Sequence, residues 1–159
     1  MQDTAALLAD FFAQDDLARL TADAGELLDC PLMVIDDAFR VAAHYAPPDF
    51  SDPLFDRAVQ QGVITYEAGA IISRSPALSA GAPDYVEVAD STRRRRFAPL
   101  ISTGVRLGYL ICVDIGGHLA DIPAETFRTV ETVLAKQLFV EASRQDKPFG
   151  TAEEILMHL

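Results

Sequence analysis

Two cysteines in 159 residues, Cys30 and Cys112, are too few for a disulfide framework, and neither belongs to a CxxC pair. Both lie among apolar neighbours, which suits reduced, buried thiols. The competing reading, a thiol-based redox switch or enzyme, needs accessible thiols of lowered pKa, and nothing around either cysteine lowers one. His44, His118 and His158 are scattered over a predicted strand, a loop and a terminal helix without metal-ligand spacing, so neither a metal nor another cofactor is expected. Ser91 and Ser102 lack the context of a nucleophile elbow, and Gly104 and Gly108 fit a turn and a close strand approach rather than a phosphate-cradling loop. No catalytic residue emerges, and the chain reads as a non-enzyme. Positive charge is scarce: 13 Lys and Arg against 24 Asp and Glu leave a net charge of −11, which repels phosphate backbones and argues against nucleic-acid contact by this segment. No apolar run approaches the roughly 20 residues that span a bilayer, and MQDTAALLAD lacks the basic start and apolar core of a signal peptide. The expectation is a cytoplasmic protein with no membrane partner.

Half of the residues are apolar, and the length suits one domain able to bury a core without disulfides or metal. The stretch FAPLISTGVRLGYLICVDI, from Phe97 to Ile115, reads as two strands joined at Ser102-Thr103-Gly104. Strand alternation sends Leu107, Tyr109, Ile111 and Val113 one way and Leu110 and Cys112 the other. A strand apolar on both sides must be covered on both, so the sheet is expected to carry helices or loops on each face.

Thr4 to about Ala13 is apolar almost all round, which predicts a short helix seeking a partner beyond its own domain. Asp15-Asp16 caps a second helix lined by Leu17, Leu20, Ala24, Leu27 and Leu28. Pro31 to Asp36 and Phe39 to Tyr45 predict a hairpin whose second strand, bearing Arg40 and His44, is the more exposed. Ser51-Asp52-Pro53 opens a helix with Leu54, Phe55, Ala58 and Val59 buried and Gly62 at its end. Val63 to Ala82 reads mostly as loop, with a short helix capped by Thr65. A short strand from Tyr85 to Ala89 precedes Arg93 to Arg96, which lead into Phe97 and alternate faces, two arginines to each side. Pro99 inside that strand calls for an edge, a bulge or a side facing away from the neighbour. Pro123 to about Ser143 is one long helix with Phe127, Val130, Leu134 and Leu138 as its stripe. Val133, Phe139 and Val140 widen its apolar arc, which points to pairing between subunits. Residues 146–150 read as a linker, and Thr151-Ala152-Glu153-Glu154 as a capping box opening a further helix.

This order of elements resembles a GAF-like domain, of class α/β (α+β), with an antiparallel five- or six-stranded sheet and helices on both faces. More narrowly, LLDCPLMVIDDAFRVAAHY, DYVEVADS, RRFAPLISTGVRLGYLICVD and TAEEILMHL resemble the N-terminal regulatory region of PucR-type (CdaR-like) bacterial transcription regulators. The resemblance spans roughly residues 17–159. It implies a sensor and dimerisation domain over 1–145, with 146–159 leading to an absent C-terminal helix-turn-helix that holds the DNA contact. The implied partners are a small-molecule effector, of identity not given by the sequence, and a second copy of the chain.

Tyr66, Tyr85, Arg94, Arg96, Phe97 and Pro99 are the candidate ligand-binding residues, arginines gripping a carboxylate or phosphate and the rest walling a cavity beside the loop-rich middle. The plain alternatives are a solvated strand end and ordinary core. Leu7, Leu8, Phe11, Phe12, Val133, Phe139 and Val140 are the candidate dimer interface. A vestigial domain that only pairs subunits and binds nothing is the second functional reading.

Overall fold

The computed structural model describes residues 4–13, 16–87 and 93–146. The linker after Asp146 and the helix expected from Thr151 lie outside the described residues. Described elements run α1 (Thr4–Ala13), α2 (Leu17–Leu28), β1 (Leu32–Asp36), β2 (Val41–Tyr45), α3 (Pro53–Gln61), α4 (Tyr66–Arg74), α5 (Pro76–Ser79), β3 (Asp84–Glu87), β4 (Arg94–Ser102), β5 (Val105–Val113) and α6 (Ala124–Asp146), with a 3-10 turn at His118–Asp121. Five strands form one antiparallel sheet in the order β2-β1-β5-β4-β3. The sheet is covered on both faces, as a central strand without a polar side demands.

The β4–β5 hairpin is the centre of the sheet. Its turn places Thr103 and Gly104 both at positive φ, 52° and 79°, the backbone whose twist matches two flanking strands. Gly108 sits where β5 is flanked by both neighbours, opposite Leu100 and Asp36, and a Cβ there would collide with the Ile35 carbonyl. Pro99 pairs with Tyr109, but β3 reaches only as far as Phe97, so the outer side of β4 at Pro99 has no strand to receive an N–H. Strict alternation fails at one place. Between Leu100↔Gly108 and Ile101↔Arg106 the register slips, leaving Leu107 as an extra residue. Leu107 therefore packs with Leu110 and Cys112, not with Tyr109, Ile111 and Val113.

On one face lie α2, α6 and α1. Leu17, Leu20, Ala24 and Leu28 of α2 meet Phe127, Val130, Val133, Leu134 and Leu138 of α6 over Val34, Leu100, Leu110 and Cys112. The wide apolar arc of α6 is largely consumed here: Val133 is buried in the domain's own core and so is not available to a second subunit. Helix α1 likewise has partners within the chain, lying against α2 and α6. Phe139 remains 44% exposed and Leu8 38%.

On the other face lie three short helices. Asp52 caps α3, accepting the Leu54 and Phe55 N–H groups at 3.0 and 3.1 Å, with Pro53 next and Gly62 at φ 78° as its end. The segment after Val63, expected to be mostly loop, is helical in two pieces. Thr65 Oγ1 accepts the Ala68 N–H to start α4, and Ser75 Oγ accepts that of Leu78 to start α5. The Thr65-capped helix is the one the sequence announced; α5, four residues long between Ser75-Pro76 and Gly81, is too short to show a helical period.

Candidate functional site

The four arginines before Phe97 alternate as strand geometry requires, and every one is engaged. Arg94 lies over the Tyr85 ring, 4.9 Å from its centroid, and 3.6 Å from the Asp114 carboxylate. Arg96 points to the α6 face, where it bonds Glu131 at 2.7 Å and sits 3.7 Å from the Phe127 ring centroid. Burial pushes the Glu131 carboxyl above the usual carboxylate range despite that guanidinium, whose pull only partly offsets it. Arg93 and Arg95 point the other way. Arg93 donates to the Ser51 carbonyl at 2.7 Å and lies 5.1 Å from the Phe50 ring centroid. Arg95 donates to Asp52 Oδ1 at 2.5 Å and to the Arg93 carbonyl at 3.1 Å.

Asp52 is thus the junction between β4 and α3. Its side chain is 2% exposed and that of Arg95 6%. Burial alone would raise the Asp52 carboxyl, but the Phe55 amide, Arg95 and the Leu54 amide outweigh it and hold the carboxyl below its ordinary value.

Beside this pair, under α3 and α4, is a cavity of about 40 Å³ lined by Met33, Leu54, Phe55, Ala58, Ile64, Thr65, Ala68, Arg95, Phe97 and Ile111. Nine of its ten walls are uncharged, and Arg95 supplies the single charge. Larger concavities exist at the surface. One of about 530 Å³, between α2, the β1–β2 turn and the end of α6, is polar, but its Asp36 and Arg40 pair with each other at 2.9 Å and its Glu141 accepts the Leu17 N–H at 2.8 Å. The apolar cavity with a buried guanidinium in its wall is the better ligand site in chemical terms.

The expected ligand residues do not converge. Phe97 alone among them walls the cavity. Pro99 is buried further along β4, and Arg94, Arg96 and Tyr85 belong to the α6 side of the sheet. Tyr66 is 85% exposed at the start of α4, bordering a shallow groove with Phe39, Val63 and Arg74. Arg95 was missed, although alternation could have found it: two residues before Phe97, it must share that residue's face, whereas Arg94 and Arg96 cannot. Of the expected interface, the side chains of Leu7, Phe11 and Phe12 lie outside the described residues; Leu8 and Phe139 are exposed and Val140 is half-buried.

The cysteines come together, because β1 pairs with β5 so that Leu32 lies opposite Cys112. Both thiols are buried, and the hydrogen bond to Cys112, with burial, pushes the Cys30 thiol far up, the reverse of a reactive thiolate. His118 ties the end of β5 to the end of α2, its Nδ1 3.0 Å from the Ile115 carbonyl and its Nε2 3.0 Å from that of Leu28. Carbonyls only accept, so satisfying both needs two N–H groups and therefore the imidazolium. Burial opposes that charge, but the two carbonyls with Asp29 and Asp114 prevail and raise the His118 pKa. Among the described residues no group of three His, Cys, Asp or Glu is placed to hold a metal ion, and no helix is long and apolar enough to cross a membrane.

A five-stranded antiparallel sheet with this strand order, the long α6 on one face and short helices on the other, is a GAF-type fold. The chain is similar to the phycocyanobilin-bound GAF domain of a cyanobacterial phytochrome, at 12% identity and a TM-score of 0.53, over 95% of this chain and 100% of that one. It is similar also to a phycoerythrobilin-bound GAF domain from a cyanobacterial phytochrome, at 13% identity and a TM-score of 0.50, over 89% and 99% of the two chains. At such identities the likeness carries the fold. No family model and no curated protein matches the chain.

Proposed function

We propose that this chain is the effector-sensing and dimerising region of a PucR-type bacterial transcription regulator, cytoplasmic and without catalytic activity, whose DNA contact is made by a segment following it. The observation that carries the sensing half is the cavity under α3 and α4 with Arg95 in its wall. The GAF-type fold supports it, since the two similar domains hold bilins. A cavity of about 40 Å³ is far below the roughly 300–1,000 Å³ of ordinary ligand pockets, so a tetrapyrrole is excluded without rearrangement and a small effector is indicated. Binding then selects an arrangement in which α3 and α4 stand further from the sheet. The dimerising half rests on exposed Leu8 and Phe139, on two helices that touch each other.

The smallness of the cavity also favours the second reading, a domain that only pairs subunits. A thermal-shift screen of purines, amino acids and small organic acids separates the two, because a ligand of the folded state must raise the melting temperature. Sedimentation tests the dimer: a monomer at high concentration removes it, and in a dimer Phe139→Glu shifts the population to monomer.

A further inference from the structure

We propose that Asp52 is an internal substitute for the carboxylate of the effector, and that the cavity takes a small apolar monocarboxylic acid which displaces Asp52 from Arg95. This rests on the reading of the cavity as an effector site. Its walls are apolar apart from Thr65 and Arg95, so the complement is an apolar body bearing one anionic end. A guanidinium only 6% exposed needs an anion, and Asp52 provides it. Asp52 is heavily committed, however. The Oδ1 that meets Arg95 also accepts the Leu54 and Phe55 N–H groups. An incoming carboxylate has both oxygens uncommitted and can approach the planar guanidinium with two bonds.

Displacement strands neither charge. Asp52 retains its two amide donors and Arg93, whose Nη1 is 3.5 Å from Oδ2, while Arg95 exchanges one carboxylate for another. The exchange is also transmitted. The residues whose amides Asp52 caps, Leu54 and Phe55, themselves wall the cavity, so loosening Asp52 from β4 frees the first turn of α3 to move with the ligand. Asp52 therefore sets the affinity as a competitor and couples occupancy to the position of α3.

The test compares butyrate, hexanoate and benzoate with butyramide, hexanamide and benzamide, at constant ionic strength, by thermal shift on the wild-type chain and on Asp52→Asn. Asparagine still caps a helix but carries no charge to compete. Acids are expected to raise the melting temperature of the wild type where matched amides do not. In the variant their half-saturating concentration is expected to fall at least about tenfold, an energy of about 1.4 kcal/mol. Equal shifts by acids and amides in both proteins overturn the carboxylate assignment and leave the ligand cavity standing. No shift by any probe in either protein, together with a blank screen, removes both. Should Asp52→Asn not fold, Ala58→Leu in the wild-type background decides: bulk in the cavity abolishes the acid shift, and an undiminished shift places the acid elsewhere and overturns the proposal.

Discussion

Arg95 and Arg96 are adjacent in sequence, similarly buried and each paired with a carboxylate, yet they serve opposite faces of the sheet. Arg96 meets Glu131 on a 23-residue helix and lies on Phe127, inside a core continuous from α2 through β5 to α6. Arg95 meets the cap of a nine-residue helix beside a cavity. One ion pair fastens a long element that many other contacts also hold; the other fastens a short element at its first turn. Burial of a charge therefore does not distinguish framework from switch. What distinguishes them is how much else holds the partner element in place.

The largest expected effect lies on the α6 face. Leu134→Ala, at a fully buried position, is expected to cost about 4 kcal/mol in urea denaturation, against about 2 kcal/mol for Ile64→Ala, at a residue that lines an existing cavity under two short helices and is less tightly surrounded. Equal costs would break the comparison. Next, Glu131→Ala leaves the guanidinium of Arg96 buried without its carboxylate and is expected to destabilise by about 3 kcal/mol. The rise in melting temperature that a ligand gives this variant should equal that of the wild type, because the cavity lies on the opposite face of the sheet. A smaller contrast comes from added methyls. Ala135→Val, in a packed position of α6, should cost about 1–3 kcal/mol, whereas Ala58→Val, facing the cavity, should stay within about 0.5 kcal/mol of the wild type.

The smallest effect is on pH dependence. The folded pKa of His118 is raised, so its contribution is fully present below the unfolded value of about 6.5 and is lost as pH rises through the folded value. His118→Ala should flatten the alkaline limb of the stability profile between those values. Asp52 works with the opposite sign. Its depressed carboxyl contributes above the unfolded value of about 3.9 and is lost as pH falls through the folded one, so Asp52→Asn should flatten the acid limb.

Much of the framework was legible because it is local. The β4–β5 hairpin, the caps at Asp16, Asp52 and Thr65, the glycine at the end of α3 and the alternation of the arginines all follow from short-range backbone chemistry. The misreadings were matters of tertiary placement. Val133 was assigned to another subunit because no short-range rule says that α2 packs on that side of α6. Leu107 changed sides because a bulge interrupts the strand, and a bulge without a glycine or proline at the extra residue leaves no local sign. The candidate site mixed residues from two faces, although the period of the strand already separated Phe97 from Arg96.

Native-state hydrogen exchange, resolved by segment, tests most directly whether the two faces differ in the way described. Amides of α3 and α4, residues 53–74, should exchange through openings well below the global unfolding free energy and slow when a ligand binds, while the buried face of α6 exchanges only with global unfolding. Exchange of both helical layers at the same, global rate, unchanged by any compound that raises the melting temperature, would contradict the account.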